Sequence, residues 1–182
     1  MPVDLASYNN SWYKPGPPLK RFFWYGINII FFKNALFPFY AFKVFLLRLF
    51  GAKMGRNVII KPQVNIKYPW LLETGDNVWI GEEVWIDNLA KVSIGNNVCL
   101  SQGSLLLTGN HDYKNPAFDL IVNTIVLEDG VWIGAKAIVC GGVICRSHAV
   151  LTVGSVATNE LEAMGIYRGN PAVRVKERII SG

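Results

Sequence analysis

The 182-residue chain is 51% hydrophobic and 17% charged, with a formal net charge of +5. This composition supplies enough apolar side chains for a substantial buried core and excludes a largely disordered chain, and the length suits one compact domain with a short extension. No basic run is interleaved with aromatic residues in a known nucleic-acid reader motif, so no nucleic-acid partner is expected.

The N-terminal extension, residues 1–51, begins with MPVDLASYNNSWYKPGPP, which lacks the basic-then-apolar order of a secretory signal. Secretion is therefore not predicted, and a cytoplasmic location is expected. Three cysteines occur in no C-x-x-C pair and in no ligand spacing with histidine: Cys99, Cys140 and Cys145. Neither a disulfide framework nor a zinc site is predicted, and the thiols are expected to be small apolar groups in a reducing compartment.

Residues 19–50 are rich in aromatic and aliphatic side chains, interrupted by Lys33, Lys43 and Arg48. The uncharged runs between these charges are shorter than the roughly 18–20 residues that a membrane-spanning helix needs. Pro38 suits a helix start and Gly51 a helix stop, which predicts a helix over 38–50.

A second helix is predicted over about 19–33. Helices this apolar must bury most of their surface. The sequence leaves open whether they dock on the rest of the chain, on a neighbouring subunit, or on a membrane surface at the inner face of the cell membrane.

An internal repeat follows these helices. The segments MGRNVI at 54–59, TGDNVW at 74–79 and IGNNVC at 94–99 align at a constant interval, and LEDGVW at 127–132 has the same form. Within them, apolar residues recur every six positions, with small or β-branched residues four positions further on. Helices need spacings of three and four, and ordinary strands alternate every two, so a period of six indicates short rungs joined by tight corners.

These features predict a mainly β protein with a parallel β-helix over residues 52–160. Trp70 is a bulky exception among the positions expected to point inward. The corners are expected to need positive φ, which glycine and asparagine tolerate best. The residues expected to meet that need are Gly55, Gly75, Gly95, Gly134, Asn57, Asn77 and Asn97.

The six-residue series breaks between Leu106 and Leu127, so a loop at about 108–124 leaves the coil. This loop contains TGNHDYKNPAF, with His111 at its root. A long loop ejected from a rigid solenoid is a common place for functional residues. A neutral imidazole is well suited to take the proton of a hydroxyl group near neutral pH, which makes His111 a candidate general base.

The hexapeptide pattern resembles that of the hexapeptide-repeat acyltransferase superfamily, whose coils wind left-handed. The strings GNHDY, WIDN at 85–88 and IYRGNPA at 166–172 look closest to the colanic acid biosynthesis O-acetyltransferases, which are related to the maltose and galactoside acetyltransferases. The resemblance implies an acetyl-CoA-dependent O-acetyltransferase acting on a sugar hydroxyl in exopolysaccharide biosynthesis. It implies direct transfer, with His111 as the general base, no metal and no cysteine nucleophile.

The same resemblance implies a homotrimer with coenzyme A held between neighbouring subunits. The residues implied for the coenzyme are Trp132, Ala135 and Val153, with Arg174, Lys176 and Arg178 of the short basic C-terminal segment, residues 161–182, reaching its phosphates. The residues expected to contact the acceptor are Asp87, Asn88, Asp112 and Tyr113, and Asp112 is also a candidate for orienting the imidazole. Asn159 departs from the family pattern, because the family has a lysine there.

Alternative functions remain open at this stage. The acceptor could be an amino group on a nucleotide sugar or serine, or the chain could be a non-catalytic scaffold docked on a membrane. A γ-type carbonic anhydrase shares the solenoid but needs three histidines on zinc, and this chain has only His111 and His148. His148 is interpreted as an exposed residue at a corner.

Overall fold

A triangular solenoid of short parallel strands forms the core of the computed structural model, which describes residues 2–180. Three sheets make its walls. In spatial order, the largest sheet contains β1 (Ile59–Ile60), β4 (Trp79–Ile80), β7 (Cys99–Leu100), β12 (Trp132–Ile133), β15 (Val150–Leu151), β17 (Gly165–Gly169) and β18 (Ala172–Glu177). The second contains β2 (Asn65–Ile66), β5 (Trp85–Asp87), β8 (Leu105–Leu107), β13 (Ile138–Cys140) and β16 (Val156–Ala157), and the third contains β3 (Leu72–Thr74), β6 (Val92–Ile94), β11 (Ile125–Leu127) and β14 (Ile144–Cys145).

Strand register explains the sequence repeat. Ile59 pairs with Trp79, and Trp79 pairs with Cys99, so residues separated by one repeat lie directly above one another. The inward positions of successive rungs, such as Ile60, Ile80 and Leu100, are buried to 1% exposure or less. The predicted parallel β-helix is therefore confirmed, because the six-residue period places one apolar side chain per rung on the central axis.

One detail of that prediction is wrong, because Trp70 does not point into the solenoid. It lies in the 3₁₀-helix Pro69–Leu71, at the corner where each early coil has extra residues, and its neighbour Leu72 fills the interior instead. The indole of Trp70 is half-buried under the N-terminal segment, and its Nε1 donates a hydrogen bond of 3.0 Å to the carbonyl of Pro15. An indole is too large for the narrow coil axis, so the chain bulges and places it outside.

The glycines at the corners serve a different purpose from the one expected. Positive φ falls on Asn57, Asn77 and Asn97, as predicted, whereas the preceding glycines do not have it. A Cβ on Gly75 would lie 2.8 Å from a backbone carbon of the coil above, and one on Gly95 would lie 2.8 Å from the next coil's backbone nitrogen. These glycines are required because adjacent coils stack too closely for a side chain.

The N-terminal helices close the first coil. The helix α1 (Pro18–Ile27) continues as a π-helical turn, Asn28–Phe32, and α2 (Tyr40–Leu49) follows, which confirms both predicted helices. The indole nitrogen of Trp24 donates to the carbonyl of Ile66 at 2.8 Å, and Lys43 Nζ donates to the carbonyl of Lys61 at 2.9 Å. The helices thus satisfy backbone groups that would otherwise be unpaired at the open end of the solenoid.

The remaining surface of these helices and of the loop between them is apolar and uncovered. Large exposed side chains on it are Leu19, Phe22, Phe23, Tyr25, Ile29, Ile30, Leu36, Phe39, Tyr40, Phe42, Phe45 and Leu49. We call this set the apolar helix face. Within residues 2–180, no helix has both the length and the apolar character that crossing a bilayer demands.

The other end of the solenoid is closed by a hairpin. Strand β17 continues the largest sheet in parallel, and β18 returns antiparallel to it after a turn that contains the cis peptide bond Asn170–Pro171. Tyr167 continues the interior stack, and its hydroxyl accepts a hydrogen bond of 2.9 Å from the backbone nitrogen of Glu162. The last coil is therefore covered by its own chain.

Candidate active site

The ejected loop is a β-hairpin rooted in the solenoid wall. Strands β9 (Gly109–His111) and β10 (Leu120–Val122) pair antiparallel, with His111 opposite Leu120. The buried hydroxyl of Thr108 donates to the carbonyl of Asp87 at 2.8 Å and accepts from the backbone nitrogen of Ala90 at 3.0 Å. These bonds fix the hairpin root to the neighbouring coil, so the position of His111 is set by the rigid solenoid.

The imidazole of His111 is held in one orientation. Its Nδ1 lies 2.9 Å from the carbonyl oxygen of Phe118, and its ring stacks on the Phe118 ring with a centroid separation of 4.4 Å. A carbonyl oxygen can only accept a hydrogen bond, so Nδ1 must carry the proton in this contact. In the neutral ring, Nε2 then keeps its lone pair, which is the tautomer that a general base acting through Nε2 requires.

Asp112 does not orient that imidazole. Its carboxylate accepts a hydrogen bond of 3.0 Å from the backbone nitrogen of Lys114, and its own backbone nitrogen donates to the carbonyl of Asp119 at 2.8 Å. The side chain shapes the hairpin tip, and the orienting group is the Phe118 carbonyl. Tyr113 also lies at the tip, where it is 73% exposed.

The N-terminal segment, residues 2–16, reaches the hairpin and was missed by the sequence reasoning. The Tyr8 ring lies 5.7 Å from the His111 ring, and the backbone nitrogen of Asp4 donates to the carbonyl of Pro116 at 2.9 Å. The hydroxyl of Tyr13 donates to the carbonyl of Leu89 at 2.6 Å. Burial, reinforced by the nearby groups of Tyr68 and Asp87, raises the pKa of Tyr13, so the phenol stays protonated.

Asp87 and Asn88 occupy different environments although they are adjacent. The Asp87 carboxylate is largely buried, and its Oδ1 lies 2.8 Å from Lys67 Nζ in an ion pair. Asn88 is fully buried, and its amide both donates to the Tyr68 carbonyl at 2.7 Å and accepts from the Tyr68 backbone nitrogen at 2.9 Å. This corrects the expectation for Asn88, whose side chain joins two coils and does not face an acceptor.

A cavity of about 440 Å³ opens beside Asp87. It lies between α1 with its π-helical extension and the outer face of the second sheet. Its lining includes the basic residues Arg21, Lys33 and Lys67 and the aromatic residues Trp24, Tyr25, Tyr68 and Trp85. Asp87 is therefore the predicted acceptor residue that combines burial with access to an open cavity.

The residues expected to contact coenzyme A lie along one side of the solenoid. Trp132 is on the outer face of β12, 46% exposed, and its indole donates to the hydroxyl of Ser101 at 2.9 Å. Ala135 and Val153 sit at the same corner of successive coils, where the backbone nitrogen of Gly154 donates to the Ala135 carbonyl at 2.9 Å. The structure thus brings these three predicted residues to one edge, with Val153 70% exposed.

The predicted phosphate contacts are partly engaged within the chain. Arg174, which lies on β18 of the terminal hairpin, forms an ion pair of 2.8 Å with Glu162. Arg178 donates to the carbonyls of Gly130 at 2.9 Å and His148 at 3.2 Å, so it ties the C-terminal strand to two coil corners. Lys176 is exposed on β18.

The cysteines are unsuited to nucleophilic chemistry. Burial raises the pKa of the Cys145 thiol to about 12 and also raises the pKa of Cys99 and Cys140. A thiol is nucleophilic as the thiolate, and raising its pKa lowers the thiolate fraction at neutral pH. The second histidine, His148, is a half-buried corner residue with φ of 61°.

Comparison with known proteins identifies the family. No protein-family model matches the chain. The putative colanic acid biosynthesis acetyltransferase WcaF of Escherichia coli (strain K12) is 36% identical over 177 residues, which cover 97% of each chain.

Two solved structures share the fold. A hexapeptide-repeat acetyltransferase from Vibrio cholerae O1 biovar eltor, solved with acetyl-coenzyme A, superposes with a TM-score of 0.71 at 24% identity over 77% of this chain and 78% of its own. A maltose O-acetyltransferase from Clostridium difficile 630 superposes with a TM-score of 0.74 at 21% identity over 89% and 88%. These likenesses confirm the left-handed β-helix, and the chain belongs to the hexapeptide-repeat acyltransferase superfamily, in the group of the colanic acid biosynthesis acetyltransferases.

Proposed function

We propose that the protein transfers an acetyl group from acetyl-CoA to a sugar hydroxyl in exopolysaccharide biosynthesis, with His111 as the general base. The observation that carries the proposal is the hydrogen bond between His111 Nδ1 and the Phe118 carbonyl, which leaves Nε2 as the free basic nitrogen. Membership of an acetyltransferase group supplies the reaction class, and the solved relative with bound acetyl-coenzyme A supports the choice of donor.

The chemistry requires two proton transfers, and this histidine can perform both. Nε2 takes the proton of the acceptor hydroxyl while the hydroxyl oxygen attacks the thioester carbon. When the carbon–sulfur bond breaks, the imidazolium gives that proton to the departing thiolate. The backbone carbonyl of Phe118 accepts from Nδ1–H throughout and stabilises the positive charge that forms on the ring. No acyl-enzyme is needed, which agrees with the raised pKa values of the three thiols.

Replacement of His111 tests the proposal. His111→Ala is expected to lower kcat by about 10²–10⁴-fold with acetyl-CoA and a sugar acceptor, because that is the usual contribution of a general base. His148→Ala, the matched control at a coil corner, is expected to leave kcat within about three-fold. A loss below about ten-fold for His111→Ala would contradict the assignment.

A second experiment identifies the chemical group that accepts the acetyl group. A screen with labelled acetyl-CoA against free sugars, amino sugars on nucleotides and serine separates O-acetylation from N-acetylation. Transfer to an amine with no transfer to hydroxyls would replace the proposed reaction with the alternative one. Absence of any transfer by the wild-type protein would favour a non-catalytic scaffold function.

We also propose that the active protein is a homotrimer, with coenzyme A lying between subunits along the edge that carries Trp132, Ala135 and Val153. The exposure of Trp132 and Val153 supports this, because both leave apolar surface for a partner or a ligand to cover. Sedimentation equilibrium measures the assembly directly. Complementation between His111→Ala and Trp132→Ala chains in mixed assemblies is expected if one site draws on two subunits.

A final part of the proposal concerns location, since the apolar helix face is suited to an anionic membrane surface. Residues 5–72 contain ten lysines and arginines and no aspartate or glutamate, so this face lies in the most basic part of the chain. Exposed aromatic groups insert at the interface, and each basic residue near an anionic surface contributes about 1 kcal/mol.

Vesicle sedimentation tests this location. The wild-type protein is expected to bind vesicles of phosphatidylglycerol and to release in high salt, with weak binding to phosphatidylcholine. Replacing Phe22, Phe23 and Phe45 by serine is expected to reduce binding by at least about ten-fold, whereas replacing the exposed Val173 and Val175 by serine leaves it unchanged. Unchanged vesicle binding with a changed oligomeric state would instead assign the face to a subunit interface.

A further inference from the structure

The residues that line the cavity beside Asp87 carry more positive than negative charge. Arg21, Lys33 and Lys67 line it, and Asp87 is the single carboxylate among its lining residues within 2–180. Lys67 pairs with Asp87, whereas Arg21 and Lys33 have no ion-pair partner in that part of the chain. The cavity therefore has a net charge of about +2, and we call it the cationic pocket.

Arg21, which lines this pocket, has an unsatisfied donor. Its Nε is buried and makes no hydrogen bond in the described structure. A buried donor without a partner costs about 1–3 kcal/mol, so such groups are uncommon unless a ligand or water completes them. An anionic ligand in the cavity would balance the charge of the Arg21 guanidinium, because guanidinium groups bind phosphate oxygens in paired hydrogen bonds. A small shift of the side chain would let the same ligand satisfy Nε.

Aromatic side chains form other walls of the cationic pocket. Tyr68 is half-buried, while Trp85 is 44% exposed on the outer face of β5 and Tyr25 is 68% exposed on α1. Aromatic faces with nearby polar groups suit the alternating apolar and hydroxyl surfaces of a sugar ring. The volume of about 440 Å³ falls in the range of pockets that bind small molecules.

The pocket is linked to the hairpin that holds His111. The carbonyl of Asp87 accepts the bond from Thr108 at the hairpin root. On the outer side, the N-terminal segment runs from Tyr8, beside His111, to Tyr13, which is bonded to Leu89 and lies near Asp87. A ligand in the cationic pocket would thus have the catalytic hairpin on the adjacent coil.

We infer that the acceptor is a sugar carried on a diphosphate, with the diphosphate held by Arg21, Lys33 and Lys67 in the cationic pocket. This inference rests on the proposed acetyl transfer and names the substrate class of the same site. A diphosphate diester carries two negative charges, which matches the net charge of the pocket. Phe22, Tyr25 and Ile29 belong to both the pocket lining and the apolar helix face, so a lipid-linked diphosphate and a nucleotide-linked one both present the recognised group there.

An acceptor comparison is the first experiment. Acetyl transfer to a free sugar, to the same sugar on a nucleotide diphosphate and to the same sugar on a short prenyl diphosphate is measured at equal concentration. The diphosphate forms are expected to show a kcat/KM at least about ten-fold above the free sugar, and the better of the two identifies the source. Equal values for the free sugar and both diphosphates would overturn the inference.

Substitutions in the cationic pocket test whether its basic residues bind the diphosphate. Arg21→Gln and Lys33→Gln are each expected to raise KM for the preferred diphosphate-sugar by about ten-fold, as loss of a charged hydrogen bond predicts, with kcat within about three-fold. KM for the free sugar should stay unchanged in both. The control Lys53→Gln removes an equal charge from a side chain that is 79% exposed on another wall, and it should alter neither constant. Equal effects of Arg21→Gln on free and diphosphate-linked sugar would refute the assignment.

Calorimetry separates this inference from the proposed function. Binding of the nucleotide diphosphate-sugar and of the short prenyl diphosphate-sugar needs no turnover, so both are measured on the wild-type protein, Arg21→Gln and His111→Ala. Weaker binding to Arg21→Gln with unchanged binding to His111→Ala supports the cationic pocket even if no acetyl transfer is found. Undetectable binding to the wild-type protein, with acetyl transfer to free sugar intact, would leave the enzyme assignment standing and end the inference.

Discussion

Lys43 provides a test of how the helical cap is held on the solenoid. Its side chain is fully buried in α2, its Nζ donates to the Lys61 carbonyl at 2.9 Å, and the Phe32 ring lies 5.9 Å away. Burial disfavours the charged ammonium and lowers its pKa from 10.5 to about 8. The unfolded chain therefore binds this proton more tightly than the folded chain does.

The sign of the pH dependence follows from linkage. Between pH 8 and 10.5 the unfolded state holds the proton while the folded state has released it, so stability rises with pH across this window. Each tenfold difference in proton affinity is about 1.4 kcal/mol, so this lysine is expected to add about 3 kcal/mol to the free energy of unfolding between pH 7 and 11. The same stability is lost as pH falls through 8.

Urea unfolding of the wild-type protein and Lys43→Met from pH 7 to 11, at one protein concentration, measures this effect. The stability of Lys43→Met relative to wild type should decline by about 3 kcal/mol as pH rises, because methionine keeps the apolar volume but has no titrating group. Leu49→Met, the control at an exposed residue of α2 that does not titrate, should keep a constant difference. A constant difference for Lys43→Met as well would refute the reasoning and indicate that water reaches the ammonium.

Two further substitutions test how the coils are joined. Asn88→Ala leaves the backbone nitrogen of Tyr68 without a partner, while the Tyr68 carbonyl keeps its bond from the backbone nitrogen of Leu71. It should lower the free energy of unfolding by about 1–3 kcal/mol in urea titration, and a loss below about 0.5 kcal/mol would contradict the role assigned to that amide. Gly95→Ala places a Cβ against Asp129 Oδ1 and 2.8 Å from the backbone nitrogen of Asp129, so it should destabilise by at least about 2 kcal/mol. Gly26→Ala is the matched control, since its Cβ meets nothing within 4 Å in a helix, and it should stabilise by about 0.5–1 kcal/mol.

The solenoid could be predicted because its contacts repeat with the sequence. Each inward residue packs against the residues at the same position of the neighbouring coils, as Ile80 does against Ile60 and Leu100. The packing pattern therefore appears in the sequence as a regular spacing of apolar residues. The break in that period predicted the position of the hairpin, and the chemistry of imidazole predicted the role proposed for His111. Local signals, Pro38 and Gly51, predicted α2 to within two residues of its start and one of its end.

The contacts that complete the site carry no such periodic signal. Tyr8 reaches His111 and Trp24 reaches Ile66 across long sequence separations, and nothing in the local pattern marks either pairing. Asparagine is a common corner residue, so the local sequence predicts an exposed turn at Asn88. Its burial follows from the bulged corner of the preceding coil, where the Tyr68 backbone lies beside the Asn88 amide. A glycine at a coil corner predicts positive φ, whereas at Gly95 glycine is required because the next coil stacks too closely for a side chain.

A functional consequence follows from where these irregular contacts lie. The regular coils supply rigidity, and the residues to which we assign the chemistry break the repeat: the hairpin with His111, and α1 with its π-helical extension, which line the cationic pocket beside the N-terminal segment. Both are anchored to the coil that contains Asp87, through Thr108 on one side and Tyr13 on the other. Because the N-terminal region also carries the apolar helix face, the same segment joins acceptor recognition to the surface from which a membrane-bound acceptor would arrive. Acceptor selectivity should therefore change with substitutions in residues 8–33, while the coil interior sets stability alone.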